Sequence, residues 1–358
     1  MRFCRAWWRL RALLLVATVS TALFVLPVLL HAQATKRGVL AAKPIFRDPI
    51  HDGAADPSIL WIRVRKEWWM FYTNRRADMA SEGKDVSWVH GTRIGIAVSK
   101  DGARWKYKGV AKISYGAEDY TQWAPEVIEV AGTYHMYLTI VPGTFSDWNH
   151  SREIIHLTSP DLERWTFQQK LRLSSEKVID PAVFQLPNGV WRLWYKDEAD
   201  GSHIHFADST GRDDLSNWTP TGVAVTDRSS EAPKVFWWHG KYWLLTDTYT
   251  HGLGVYSSKD ATHWTPQPDN LLEQPGTQPS DRNVGHHPDV VISNDGRAYL
   301  YYFTHLAGLD KDASLPHSAQ RTVMQVTELH EENGVLSADR NSPTYVSLPP
   351  PVTNPRTH

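Results

Sequence analysis

Three carboxylates stand beside prolines at the openings of otherwise apolar segments: Asp56 in Ala55-Asp56-Pro57, Asp180 in Ile179-Asp180-Pro181 and Glu231 in Glu231-Ala232-Pro233. Two further segments open in the same way, at Trp123-Ala124-Pro125 and His286-His287-Pro288. One Asp-Pro pair alone is an ordinary turn former. Here the pairs recur before buried-looking runs such as Pro57-Ser58-Ile59-Leu60 and Pro181-Ala182-Val183-Phe184. A charge at the mouth of a buried strand is costly unless it is paired, hydrated or used. Converging carboxyls are equipment for proton transfer. One, protonated, supplies a proton to a leaving oxygen, and another, ionised, activates water. A third negative charge beside the acid raises its pKa by disfavouring a second ionisation.

The elements that would bring these residues together are repeated. The five prolines are spaced by 52 to 68 residues, and an aromatic segment follows each: Trp68–Tyr72, Tyr134–Tyr137, Trp191–Tyr195, Tyr242–Leu244 and Tyr299–Tyr302. Four units then close on a tryptophan in a turn, at Trp105, Trp165, Trp218 and Trp264. A repeat of this length built from short strands is the signature of propeller blades, and no helical period persists after residue 35. The expectation is an all-β, five-bladed β-propeller over residues 39–340, followed by a Pro-rich tail, 341–358, that wraps the domain or is disordered. A propeller carries the first strand of each blade to one axis, so Asp56, Asp180 and Glu231 would meet in one small site. Register adds a condition. Asp56, Asp180 and His287 immediately precede their prolines, whereas Trp123, Glu231 and His286 sit one place earlier. Strand alternation would send the two sets in different directions, so a bulge or bend at each strand mouth is needed to gather all six.

Two departures from the repeat, the insertion Asn74–Gly91 and the loop Pro142–Ser151 with Phe145 and Trp148, follow second strands. They are expected on the face that holds the axis opening, as a rim around the site. At the N-terminus, Arg2, Arg5, Arg9 and Arg11 precede an apolar stretch and an Ala32-Gln33-Ala34 cleavage pattern. Residues 1–34 therefore read as a secretory signal peptide, with an uncleaved membrane anchor as the alternative since the apolar stretch is about as long as a minimal span; the expectation is a secreted or periplasmic protein. Its removal takes away Cys4, the one cysteine, and leaves 34 Lys/Arg against 39 Asp/Glu with no basic block. That balance argues against nucleic acid and anionic membranes as partners. The 17 tryptophans and 14 tyrosines suit both inter-blade packing and a carbohydrate-binding surface.

The pattern resembles glycoside hydrolase family 43, five-bladed propeller enzymes acting on arabinose- and xylose-containing glycans. The matching motifs are Asp56-Pro57, Trp123-Ala124-Pro125-Glu126, Ile179-Asp180-Pro181-Ala182-Val183-Phe184, Ser230-Glu231-Ala232-Pro233 and Gly285-His286, in the family's order. The resemblance implies that Asp56 is the general base, Glu231 the general acid and Asp180 the residue that tunes and positions the acid. It implies a substrate face at Trp123 and His287. It also likens His286 to an axial histidine that often helps hold a calcium ion, through water, or a water cluster; either His286 or His287 is the one that faces the axis. Inverting glycoside cleavage needs this division between acid and base. Glu126, after its proline, reads as structural.

Two other readings accompany this one. A fructan-cleaving or anhydrogalactose-releasing propeller hydrolase would share the blades; the asparagine usual before the first Asp-Pro of the former is replaced by Ala54-Ala55. A non-catalytic glycan-binding propeller would keep the aromatics but need no carboxylate trio, and the presence of all three favours the enzyme.

Overall fold

The computed structural model describes residues 38–211, 214–306 and 317–351; the expected signal peptide and the last residues of the tail lie outside them. Five sheets follow one another along the chain, antiparallel except for a short parallel pairing of Lys112–Ile113 with Arg164 and Trp165 at the edge of the second. Blade 1 comprises Ala54–Ile62, Glu67–Asn74, Arg93–Ser99 and Lys106–Val110, and blade 2 Thr121–Val130, Thr133–Val141, Glu153–Ser159 and Arg164–Lys170. Blade 3 comprises Val178–Gln185, Trp191–Asp197, His203–Gly211 and Asp214–Val225. Blade 4 is built from Glu231–Trp238, Lys241–Asp247, Leu253–Ser258 and Thr265–Pro266, and blade 5 from His286–Ile292, Ala298–His305, Thr322–Glu332 and Val335–Ala338. The first strands of neighbouring blades touch all the way round, blade 5 against blade 1 included. The ring is closed, and the expected five-bladed propeller is the fold.

The aromatic residues explain how the blades adhere. Each turn tryptophan lies against the second strand of the preceding blade: Trp105 on Tyr301, Trp165 on Phe71, Trp218 on Tyr137 and Trp264 on Trp194, with centroids 5.5–6.5 Å apart and edge-on geometry. Edge-to-face contact suits the ring quadrupoles and adds about 0.5–1.5 kcal/mol per pair to the burial itself. Three of these indoles are fixed by a bond from Nε1 to the carbonyl three residues back, at 2.9–3.1 Å. Closure is reinforced at the termini. Val39–Leu40 pairs antiparallel with Tyr345–Val346, and Trp68 Nε1 donates to the Leu348 carbonyl at 3.0 Å. Up to residue 351, the tail thus wraps blades 5 and 1.

Each inner strand carries the same irregularity. The ladder slips between Ala55 and Ser58, Trp123 and Glu126, Ile179 and Ala182, Glu231 and Lys234, and His286 and Asp289. In every case the residue before the proline has positive φ: Asp56 54°, Ala124 45°, Asp180 58°, Ala232 51° and His287 42°. Two residues thus oppose one on the second strand, which is a β-bulge that re-aims the side chains next to it. Left-handed backbone at a non-glycine residue costs about 1–3 kcal/mol, so five such positions mark a shape that the surrounding ring imposes.

Candidate active site

The bulges resolve the register conflict. With the strands bent at their mouths, one or other of the two residues ahead of each proline, and both in blade 3, reaches a cavity of about 340 Å³, lined by Asp56, Trp123, Ile179, Asp180, Glu231 and His287. The three carboxylates, contributed by blades 1, 3 and 4, therefore share one site. The second strands and their loops add Arg75, Lys196, Glu198 and Tyr249, and the two rim segments add Val89 and Trp148.

Each carboxyl has a different environment. Asp56 is buried, and its Oδ1 lies 3.3 Å from Arg75 Nη2 and 3.3 Å from His287 Nδ1. These two partners hold it in one orientation. Glu231 is the most exposed of the three, at 29 % of its side chain, and its Oε2 accepts from Lys196 Nζ at 2.9 Å. Asp180 lies between the blades. Its backbone N–H donates to Thr139 Oγ1 at 3.0 Å, and its Oδ2 accepts from the backbone N–H of Ala232 at 3.0 Å. It therefore grips the peptide next to Glu231 rather than Glu231 itself. Burial, helped by the Glu231 and Asp56 charges and opposed by His287 and Lys196, pushes the Asp180 carboxyl up to about 7.

Lys196 is the residue that the sequence reading missed. The second-strand residues facing the pre-bulge positions are Thr73, Thr139, Lys196, Asp247 and Phe303. Thr73, Thr139 and Asp247 use this slot to accept the bulge N–H of the next blade, from Ala124, Asp180 and His287 at 2.8–3.1 Å. In blade 3 a lysine fills the slot, and Asp180 takes over as acceptor for Ala232. Lys196 Nζ instead bridges Glu231 and Glu198, the latter at 3.2 Å. Burial works against its charge, but the two glutamates outweigh that and hold it protonated. Arg152 continues the chain by pairing with Glu198 and lies over the Trp123 ring at 5.3 Å. A lysine inside the buried run Trp191-Arg192-Leu193-Trp194-Tyr195-Lys196-Asp197 was a legible signal; Arg75 and Arg152, at strand ends, gave none.

Trp123 lines the cavity with its indole locked, Nε1 donating to the Val89 carbonyl at 2.7 Å. Trp148, 54 % exposed, stands 6.0 Å from it at 50°. The two rim segments are joined to one another by Val86 N–H to Ser146 O at 3.0 Å. The histidine pair divides. His287 faces Asp56 in the cavity, whereas His286 Nδ1 donates to Asp247 Oδ2 at 3.0 Å and its ring stacks on Phe303. Calcium takes six to eight oxygens, and among the described residues no group of three His, Cys, Asp or Glu could hold a metal. An ion beside His286 or His287 would therefore have to be held through water rather than by direct ligation.

The sequence pattern of Glycosyl hydrolases family 43 matches residues 46–248, which contain all three carboxylates. The chain belongs to glycoside hydrolase family 43. It is a glycoside hydrolase, as its motifs suggested. No curated protein matches its sequence. Among solved structures it is similar to a thermostable family-43 glycoside hydrolase, with a TM-score of 0.59 at 18 % identity over 87 % of this chain and 100 % of that one. It is also similar to a family-43 β-xylosidase/α-arabinofuranosidase from a compost microbial metagenome, complexed with xylotriose in a calcium-free form (TM-score 0.60, 18 % identity, 84 % and 98 % covered). A third likeness is to a family-43 β-1,3-galactosidase with galactodeoxynojirimycin (TM-score 0.62, 15 % identity, 84 % and 98 % covered). At these identities the likenesses establish the fold.

Proposed function

We propose that this family-43 hydrolase cleaves terminal or internal O-glycosidic bonds of arabinose-, xylose- or galactose-containing polysaccharides and oligosaccharides with inversion. Asp56 acts as base, Glu231 as acid and Asp180 as the group that positions and tunes the acid. The observation that carries the reading is the meeting of three carboxylates from three blades on one cavity.

Asp56, held by Arg75 and His287, is suited to accept a proton from a water attacking the anomeric carbon. Glu231, on the more open side, is suited to give its proton to the departing oxygen. Lys196 is shared between Glu231 and Glu198, so neither carboxyl has the ammonium to itself. Electron flow balances in one step, because the water oxygen forms the new bond as the glycosidic C–O bond breaks, and the two carboxyls exchange protonation states. Trp123 offers an apolar edge to the sugar's C–H surface. The leader expected at residues 1–34 would place this activity outside the cytoplasm.

The test is a panel of aryl glycosides of arabinofuranose, xylose, galactose and galactofuranose, with the first-formed product followed by proton NMR. The expected result is hydrolysis of at least one, with the opposite anomer appearing first. A retained anomer would refute inversion, and inertness toward both the panel and the corresponding arabinan, xylan and galactan polymers would refute the substrate class.

A further inference from the structure

Below the cavity, the residue that follows each bulge proline forms a second ring: Ser58, Glu126, Ala182, Lys234 and Asp289, one from each blade. All five are buried, none more than 5 % exposed. Lys234 Nζ lies 2.7 Å from Asp289 Oδ1 and 3.1 Å from Glu126 Oε2. The carboxylates reach on to other blades. Asp289 Oδ2 accepts the Ile59 N–H of blade 1 at 2.6 Å, and Glu126 Oε1 accepts the Val183 N–H of blade 3 at 3.1 Å. Ser58 Oγ donates to Glu126 at 3.4 Å and accepts the Val127 N–H at 3.0 Å. One ammonium and its two carboxylates thus connect all five inner strands.

We propose that Lys234 is the built-in axial cation of this propeller, carrying the charge that a divalent ion on the axis would otherwise supply, so that the folded enzyme has no need of calcium. Glu126 and Asp289 are buried and both reach Lys234 Nζ, and two buried carboxylates so close repel unless a cation stands between them. The chain provides that cation on a side chain which cannot dissociate. Glu126, whose place after the proline put it out of register with the site, belongs to this ring rather than to the cavity.

Thermal unfolding of the whole mature protein tests the proposal, with calcium chloride and EDTA as probes. The wild type is expected to have the same Tm in millimolar calcium and in EDTA. Lys234→Ala, which leaves Glu126 and Asp289 around an open space, is expected to lose on the order of 5–10 °C and to regain part of it when calcium is added. Lys234→Met fills the space without a charge, so it should lose stability and regain none with calcium. A wild-type Tm that falls in EDTA or rises in calcium would overturn the proposal even if Lys234→Ala does not fold. So would an unchanged Tm in Lys234→Ala, a failure of calcium to raise it, or equal calcium rescue of both variants.

Discussion

Asp180 and Glu231 occupy adjacent blades, yet their link runs through a backbone amide rather than a side-chain contact. Asp180 holds the Ala232 N–H, so its shape matters to where Glu231 stands, and its charge, when present, is a buried one that the fold opposes. The two roles can be separated. Because burial raises the Asp180 carboxyl above its unfolded value, the folded state binds the extra proton, and stability from this group is present at low pH and lost as pH rises through about 7. Asp180→Asn keeps an acceptor for Ala232 and removes the buried charge. It is expected to raise Tm by roughly 2–5 °C at pH 8, to change it little at pH 5, and to lower kcat with a displaced alkaline limb of the pH profile. Thermal unfolding at the two pH values checks this; equal Tm differences at both would show that the carboxyl charge is not what the fold opposes. The trio itself was legible in the sequence because an acid before or near a proline recurred at strand mouths. Their partners were less so. Arg75 and Arg152 lie at strand ends where an arginine is ordinary, and only Lys196 broke a buried run.

At the scale of elements, the bulge does the placing. Sequence alternation set Asp56 and Asp180 against Glu231, and the conflict disappears only because each strand inserts one residue with φ of 42–58° at its mouth. Ala124 and Ala232 adopt the same backbone as the aspartates, so residue type gave no sign of it; the recurring proline was the visible trace. Aromatic strands, turn tryptophans and blade order were readable because burial and turn chemistry act locally. The rim was readable only as a length anomaly. Its function depends on where two loops meet, at Val86 and Ser146, which no local pattern encodes. That rim carries Trp148, an exposed indole at the cavity mouth beside the fixed ring of Trp123. Trp148→Ala is expected to raise KM by roughly tenfold, equivalent to about 1.4 kcal/mol of binding, with kcat close to wild type, the mark of lost binding shared by ground and transition states. Steady-state kinetics on the best substrate of the aryl panel decides it; an unchanged KM would remove Trp148 from the binding surface.

Only the closed ring makes a site out of residues separated by most of the chain. Contact between the first strands of blades 5 and 1, the pairing of Val39–Leu40 with Tyr345–Val346, and the ring around Lys234 hold the inner strands in register. The repeat spacing made the number of blades legible. Terminal pairing and the axial ion pairs were not, because they join residues with no shared periodicity. The account's central claim is that this closure gives Asp56 and Glu231 different jobs. Glu231→Gln, assayed on a natural glycan and on an aryl glycoside whose leaving group needs little protonation, tests it most directly. The expected result is a loss of roughly 10²–10⁴-fold on the glycan and a far smaller loss on the aryl substrate, whereas Asp56→Asn should damage both alike, since each reaction needs an activated water. Equal losses on the two substrates in Glu231→Gln would contradict the acid role and with it the division of labour.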